Sequence, residues 1–507
     1  MIKRLLIANR GEIALRIIRA CRELDIETVA VFSDSDRQSP HVAAADRAVP
    51  LGPAQASESY LSIPKLVAAA QAQGADAVHP GYGFLSESAA FAAACEQAGL
   101  IFVGPPSDVI ARMGSKIEAR RLMTSAGVPV VPGEMSEDQS DHALEKAVAR
   151  VGFPAVVKAS AGGGGKGMRE VRDWAEALEA IQAARREATA AFGDGTLYVE
   201  RLIDRPRHVE VQIIADHHGA ISHLFERECS VQRRHQKVIE ESPSLALTPA
   251  LRARMTEAAV AAARAAAYRN AGTIEFLLDG RDDSASFYFL EMNTRLQVEH
   301  AVTEAVVGVD LVHAQLFVAS GHPLPWRDGS LTQRGHAIEA RVYAEDPARD
   351  FLPQAGPLLL YREPRLPGVR VDGGVVEGGD VPVEYDPMLA KVIASGETRD
   401  VAIARLVAAL RDYPILGVRT NIPFLIKVLE HPRFRAGDID TGFLDRERDT
   451  FAQESNGELP AFLRQALSQL DDAAGPFDFA QGRPEPGAQD LKPGNDDPWL
   501  RLQGWRA

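Results

Sequence analysis

Two carboxylates stand at equal distance from a polar loop. Glu275, in the apolar run 273–278, and Glu291, in the run 287–293, each lie eight residues from Asp283. If the runs pair as a hairpin, the carboxylates face one another and Asn293 shares the Glu291 face by the period-two alternation of a strand. Like charges so placed destabilise a sheet unless a cation lies between them. Two carboxylates and an amide oxygen suit Mg²⁺, which takes few protein ligands and shares its remaining positions with phosphate oxygens. Arg295, Gln297 and Glu299 follow directly. An extended segment puts all three on one face, where a cation, a neutral hydrogen-bonding group and a carboxylate can hold a small anion and take its proton.

Phosphate chemistry has further signatures. Residues 158–169 (KASAGGGGKGMR) contain four consecutive glycines, Gly162 to Gly165, between Lys158 and Lys166. Glycine lets backbone N–H groups approach phosphate oxygens closely. No Gly-Lys-Ser/Thr follows, so this is not a Walker A loop. Lys116, in Met113-Gly114-Ser115-Lys116, is a further phosphate cation. Arg227, Arg233, Arg234, His235 and Lys237 crowd one short run that lacks any aromatic residue to stack on a base. In an acidic protein that run suits a small polyanion such as ATP better than nucleic acid. Taken singly, a glycine run is often a surface turn and a lone lysine is usually solvated; the conjunction points to a nucleotide.

These groups need elements to position them. Residues 2–8 read as a buried strand, 12–24 as an amphipathic helix and 28–32 as a second strand; 75–78 and 100–103 are strand-like around a helix over 89–98. The alternation predicts a parallel, Rossmann-like sheet over residues 1–113. Its first βα turn, Asn9-Arg10-Gly11-Glu12-Ile13-Ala14, lacks G-x-G-x-x-G, which disfavours dinucleotide binding. Residues 114–331 read as mixed α and β. A helix spans 173–193 with Asp173 as cap, Glu176 at the capping-box position and Gly193 as stop, and another opens at Thr248-Pro249 and runs to Tyr268 with Gly272 beyond its end. Residues 332–447 form a third, α+β unit. The tail, 448–507, differs: residues 471–498 hold four glycines, five prolines and six aspartates, a composition that cannot bury a core and predicts a disordered linker. Trp499 and Trp505 read as the opening of a further domain.

Composition bounds the rest. Over 507 residues, 56 Lys+Arg against 70 Asp+Glu give a net charge of −14, which argues against gripping nucleic acid or an anionic membrane through net charge. The 46% apolar and 25% charged content excludes wholesale disorder. No apolar run reaches the ~18 residues of a membrane span, and three scattered cysteines, Cys21, Cys95 and Cys229, make neither a disulfide framework nor a thiolate metal site. A soluble, cytoplasmic protein is expected.

Residues 7–14 (IANRGEIA), 79–87 (HPGYGFLSE), the glycine loop, 232–237 (QRRHQK) and 291–299 (EMNTRLQVE), in this order, resemble biotin carboxylases, which are ATP-grasp enzymes, over about residues 1–446. The resemblance implies a Rossmann-like domain, an ATP-grasp domain with a mobile lid over about 131–203, and an α+β C-terminal domain. It implies that Lys116, Lys158, Gly164 and Gly165 contact ATP phosphates, that Glu200 and the backbone of Arg201 and Ile203 hold adenine, and that His208, Gln232 and His235 contact ribose. Glu275, Glu291 and Asn293 would ligate Mg²⁺ or Mn²⁺. Lys237, Arg295, Gln297 and the Val298 backbone would bind bicarbonate, Glu299 would be the base that lets bicarbonate attack the γ-phosphate, and Arg341 would stabilise the charge developing on biotin's ureido oxygen.

The family's biotin-bearing lysine sits in Met-Lys-Met, which is absent here, so biotin would arrive on a carrier domain not in this chain. The resemblance further implies a carboxyltransferase β subunit as partner and a homo-oligomer. The end of the chain resembles the segment after the carboxylase core in acyl-CoA carboxylase α subunits, closest to the 3-methylcrotonyl-CoA and propionyl-CoA types, with acetyl-CoA or pyruvate carboxylase components as alternatives. Arg201 stands where many relatives have lysine. A carbamoyl-phosphate-type synthetase shares the carboxyphosphate step, but residues 297–300 and 79–87 favour biotin. A nucleotide-binding scaffold without turnover would have no need of Glu299.

Overall fold

A computed structural model describes residues 1–160, 167–234, 236–326 and 329–452, with 477–478 and 483–484. Strands β1 (Arg4–Ile7), β2 (Glu27–Ser33), β3 (Arg47–Gly52), β4 (Ala77–His79) and β5 (Ile101–Phe102) form a parallel sheet in the order β3-β2-β1-β4-β5. Helices α1 (Gly11–Glu23), α2 (Ile63–Ala72) and α3 (Ala89–Gln97) connect them. The near-continuous apolar run of β1 is needed because both faces are covered: Leu5 and Ile7 pack with Ile13 and Ile17, and Leu6 and Ala8 with Val29, Val31 and Leu66. The sequence reading passed over β3 and α2. β3 is an edge strand whose Arg47 and Ala48 are exposed, so it lacks the apolar run that marks its neighbours.

Helix α4 (Lys116–Ser125) leads to a small sheet of β6 (Gly133–Glu134), β7 (Ala155–Ala159), β8 (Met168–Val171) and β9 (Leu197–Arg201), ordered β6-β9-β7-β8. Helices α5 (Asp141–Val151) and α6 (Ala177–Phe192) cover it through Leu144, Val148, Ile181 and Ala184. The helix expected over 173–193 is entered by a 3₁₀ turn, Trp174–Glu176. Asp173 caps the Ala175 N–H, Glu176 accepts from the Arg172 N–H, and Gly193 closes the helix at φ 71°.

The large sheet contains β10 (Arg207–Ala215), β11 (Ile221–Arg233), β12 (Gln236–Ser242), β13 (Asn270–Asp279), β14 (Ser286–Asn293), β15 (His336–Tyr343), β16 (Val369–Gly373) and β17 (Met388–Gly396). It is antiparallel, in the order β14-β13-β10-β11-β12-β15-β17-β16. Helix α7 (Pro249–Ala265) packs on it, capped by the Thr248 hydroxyl, which accepts from the Leu251 N–H. α7 ends at Ala265, three residues before the expected end at Tyr268, and Gly272 lies beyond it. Gly272 lies within β13, where a Cβ would collide with the Tyr268 hydroxyl. Helix α8 (His300–Val307) follows β14, and α9 (Arg399–Arg411) packs on β17 and β15.

Residues Met1–Glu447 form one compact unit and Arg448–Ala507 a second. Of the second, the helix Arg448–Ala452 and a short pairing of Phe477–Asp478 with Arg483–Pro484 are described; the rest of the expected linker, with Trp499 and Trp505, lies outside the described residues. Among the described residues, no single helix is long and apolar enough to cross a membrane. All three cysteines are buried and unpaired.

Candidate active site

The hairpin places Glu275 opposite Glu291 and Asn293 opposite Thr273. It does so through a bulge. From Asp279–Ser286 to Phe276–Phe289 the pairing is regular, and Leu290 is then the extra residue that lets Glu291, rather than Leu290, face Glu275. On the other side of Glu275, β10 contributes Glu210 in direct register, so three carboxylates stand abreast on β10, β13 and β14.

Lys237 answers two of them and a fourth. Its ammonium donates to Glu210 at 2.6 Å, Glu275 at 2.8 Å and Glu299 at 2.7 Å. His208 Nε2 lies 2.9 Å from the far oxygen of Glu275, and the Asn293 amide donates to Glu275 at 2.7 Å. Burial would raise the Glu275 carboxyl, but Lys237 and His208 outweigh it and hold it well below the usual range. Burial and then the facing Glu275 push the Glu291 carboxyl up. Glu291 makes no hydrogen bond or ion pair among the described residues, so a partnerless carboxylate beside a second carboxylate and an amide fits a divalent cation.

Glu299 is fully buried, gripped by Lys237 at one oxygen and by Arg341 at the other, 3.0 Å away. Burial opposes ionisation there; Lys237, Arg341 and Arg227 overcome it and hold the carboxyl well below its ordinary value. Arg341 also donates to Glu240 at 2.6 Å, and Glu240, buried and beside Glu299, is raised to about 7 despite Arg341.

Arg295, Gln297 and Glu299 do come together, but not by strand alternation. β14 ends at Asn293, and the chain bends and turns into α8 with Glu299 as N-cap at φ −81°, ψ 13°. Arg295 bonds Gln297 at 3.0 Å and Glu87 at 3.0 Å, while Glu299 meets the group through Lys237 and Arg341. The correction has a local cause: the segment must feed a helix N-terminus, which ends the extended run.

A cavity of about 720 Å³ is lined by Lys116, Lys158, Glu200, Arg201, Ile203, His208, Gln232, Lys237, Glu275, Glu291, Asn293, Arg295, Gln297, Val298 and Arg341, with Glu299 behind Lys237 and Arg341. Lys158 pairs with Glu200 at 2.6 Å, and Arg120 holds the other Glu200 oxygen. Burial lowers the Lys116 ammonium, with Glu291 opposing. Gly164, Gly165 and His235 lie outside the described residues.

The run 227–237 is not the basic patch its composition suggested. Arg227 is fully buried against Glu210, Arg233 pairs with Glu345 over the Phe351 ring, and Arg234 turns outward to Asp350. The length of β11, its bulges between Glu228 and Gln232 and the turn at Arg234 disperse the charges, and from this run Gln232, Gln236 and Lys237 reach the cavity. Sequence reading missed Glu210 and Arg120. His208-Val209-Glu210 on a strand puts both ionisable groups on one face and could have revealed the first; nothing local signals the second.

A second cavity of about 430 Å³ adjoins the first and shares Gln236, Arg295, Val298 and Arg341 with it. Its walls come from Asn9 to Ile13, from Tyr82, Gly83 and Phe84, and from Tyr343 and Glu384 to Asp386 with Met388. The two motifs near the N-terminus, which had no assigned contact, thus converge on the far side of Arg341.

Three family models match in order: "Biotin carboxylase, N-terminal domain" over residues 1–110, "Carbamoyl-phosphate synthase L chain, ATP binding domain" over 115–327, and "Biotin carboxylase C-terminal domain" over 339–446. The chain is 50% identical to biotin carboxylase 2 of Bacillus subtilis over 445 residues, covering 88% of this chain and 99% of that one. It is 46% identical to the mitochondrial methylcrotonoyl-CoA carboxylase subunit alpha of Mus musculus over 498 residues, covering 95% of this chain and 69% of the relative. Among solved structures, the biotin carboxylase domain of Hydrogenobacter thermophilus 2-oxoglutarate carboxylase, in complex with MgADP, ADP and bicarbonate, superposes with a TM-score of 0.85 at 41% identity, covering 90% of this chain and all of that one. A parallel N-terminal sheet, an antiparallel ATP-grasp sheet and a cleft joining both, together with these likenesses, place the chain in the biotin carboxylase family of ATP-dependent ligases.

Proposed function

We propose that this chain carboxylates biotin with bicarbonate and ATP through carboxyphosphate. The observation that carries the reading is the position of Glu299: a buried carboxylate held between Lys237, which lines the larger cavity, and Arg341, which lines both. In the larger cavity Lys116 and Lys158, with Gly164 and Gly165, would contact the phosphates. Glu200 and the backbone of Arg201 and Ile203 would hold adenine, and His208, Gln232 and His235 ribose. Glu275, Glu291 and Asn293 would hold Mg²⁺ or Mn²⁺, which when bound neutralises charge on the transferred phosphoryl group.

Bicarbonate would bind to Lys237, Arg295, Gln297 and the Val298 backbone. An anion drawn to Lys237 takes a cation from Glu299 and so raises its proton affinity. Glu299 then accepts the bicarbonate proton as its oxygen bonds to the γ-phosphorus and the bond to ADP breaks. Carboxyphosphate separates into CO₂ and phosphate, and phosphate can take the proton from biotin N1. Arg341 would balance the negative charge developing on the ureido oxygen in the second cavity. A closed lid over about 131–203 would keep water from carboxyphosphate.

Biotin would come on a carrier domain, and a carboxyltransferase β subunit would use the product. The likeness to a methylcrotonoyl-CoA carboxylase subunit supports an acyl-CoA carboxylase role of the 3-methylcrotonyl-CoA or propionyl-CoA type. Three buried, unpaired thiols suit the reducing cytoplasm; the proposed assembly is a homo-oligomer. The test is ADP release with each component omitted in turn. Turnover should require Mg²⁺ and bicarbonate and rise with free biotin; ADP release indifferent to biotin would defeat the biotin assignment in favour of another carboxyphosphate-forming ligase.

A further inference from the structure

Lys391 on β17 is fully buried, directly opposite Arg341 of β15 in the antiparallel register. Cross-strand partners share a sheet face, and these two grip successive residues of one turn. Arg341 holds the Glu299 carboxylate, and the Lys391 ammonium donates to the Val298 carbonyl at 2.5 Å.

A lysine buried only to balance charge would sit closest to a carboxylate. Here Glu12, Asp372 and Glu339 lie farther off, at 3.4, 3.9 and 4.0 Å. Two of these have partners of their own: Glu12 accepts from the Tyr82 hydroxyl, and Asp372 from Arg370 and Arg19. The hydrogen bond of Lys391 is spent on the backbone. On the neighbouring peptide, His300 Nδ1 donates to the Gln297 carbonyl at 2.8 Å. In a trans peptide the N–H points opposite to the C=O, so with both carbonyls drawn inward, the Val298 and Glu299 N–H groups are turned away from Lys391 and His300. Neither N–H meets an acceptor among the described residues, and Val298 lines both cavities.

We infer that Lys391 is a positioning residue for the bicarbonate step: from behind, it fixes the Val298–Glu299 peptide so that the Glu299 N–H, beside that of Val298, faces the substrate anion and the Glu299 carboxylate stays aligned with it. This rests on the biotin carboxylase reading of the cleft. A misplacement near 1 Å at a reacting group can cost on the order of 10²-fold in rate, so one hydrogen bond in this place has kinetic weight.

The test is steady-state kinetics of the full chain with bicarbonate and ATP varied separately. Lys391→Met keeps the apolar stem and removes the donor. It should raise KM for bicarbonate and lower kcat, each by about tenfold or more, while KM for ATP stays within about twofold. Lys391→Arg, which restores a donor, should recover part of the loss. If Lys391→Met fails to fold, the double variant Lys391→Met/Glu12→Gln, which removes the charge left unbalanced, is compared with Glu12→Gln alone. Unchanged bicarbonate kinetics, or a rise in both KM values together with a fall in Tm, would overturn the inference. A wild-type chain whose ADP release ignores bicarbonate would overturn the functional reading and this inference with it.

Discussion

Lys237 brings one positive charge to three carboxylates, two of which also meet an arginine, Arg227 at Glu210 and Arg341 at Glu299, whereas Glu291 faces Glu275 with no ion pair among the described residues. Burial keeps water from relieving the repulsion between Glu291 and Glu275, which favours a cation beside them. Glu291→Gln should therefore have opposite effects on stability and function. In metal-free buffer it removes the repulsion with Glu275 and should raise stability by on the order of 1 kcal/mol, read as Tm with a chelator present. It should also raise the Mg²⁺ concentration for half-maximal ADP release by about tenfold. Glu299→Gln tests the base. Lys237 keeps Glu210 and Glu275 in that variant, so the site should remain assembled. ATP binding, followed by calorimetry, should be retained while kcat falls by about 10²-fold or more; full turnover in this variant would remove Glu299 from the mechanism.

The β13–β14 hairpin shows how an element sets what its residues can do. Its register places Glu275 between Glu210 and Glu291, and the Leu290 bulge supplies the last step of that alignment. Equal spacing about Asp283 led to the right pair, yet the hairpin is not symmetric about that residue: nearer the loop the register differs by one, and the bulge restores it. Gly272, three residues before Glu275, keeps the strand close to Tyr268, whose hydroxyl donates to the Ala271 carbonyl at 2.9 Å. Gly272→Ala should force that ring away and destabilise the protein by roughly 1–3 kcal/mol. The measurement is urea unfolding; a midpoint equal to wild type would show that Tyr268 yields without cost.

Across the molecule, contacts distant in sequence tie β15 and α9 to the ATP-grasp strands. Glu241 on β12 accepts from Arg399 of α9 and lies 2.7 Å from His336 of β15. Burial alone would raise its carboxyl; the hydrogen bond from His336 and the charge of Arg399 prevail and lower it to about 2, from an ordinary value of 4.5. A depressed folded-state value adds stability above the unfolded-state pKa, and that stability is lost as pH falls toward the folded one. The shift corresponds to on the order of 3 kcal/mol at neutrality. Glu241→Gln should be less stable than wild type at pH 7, with the gap closing between about pH 4.5 and about 2. Denaturant unfolding across that range checks it, and a gap that persists at the acid end would contradict the assignment.

The sequence alone determined whatever depends on local pattern and short spacing. The apolar runs of β1 and β2 dictate buried parallel strands, Asp173 and Gly193 mark a helix by satisfying or turning its end groups, and Glu275 with Glu291 can only meet if their strands pair. Of the residues that the motifs singled out, Lys116, Lys158, Gln232, Lys237, Glu291, Asn293, Arg295 and Gln297 line one cavity. Tertiary structure alone decided which charges meet. Arg227, Arg233 and Arg234 look alike in sequence, yet their places in mid-strand, at the strand end and in the turn bury one, stack one and expose one. Glu210 reaches Lys237 across 27 residues, Arg341 reaches Glu299 across 42, and Lys391 reaches Val298 across 93. An ion pair or a short hydrogen bond depends on distances of a few ångströms, and only the packing of strands remote in sequence sets them.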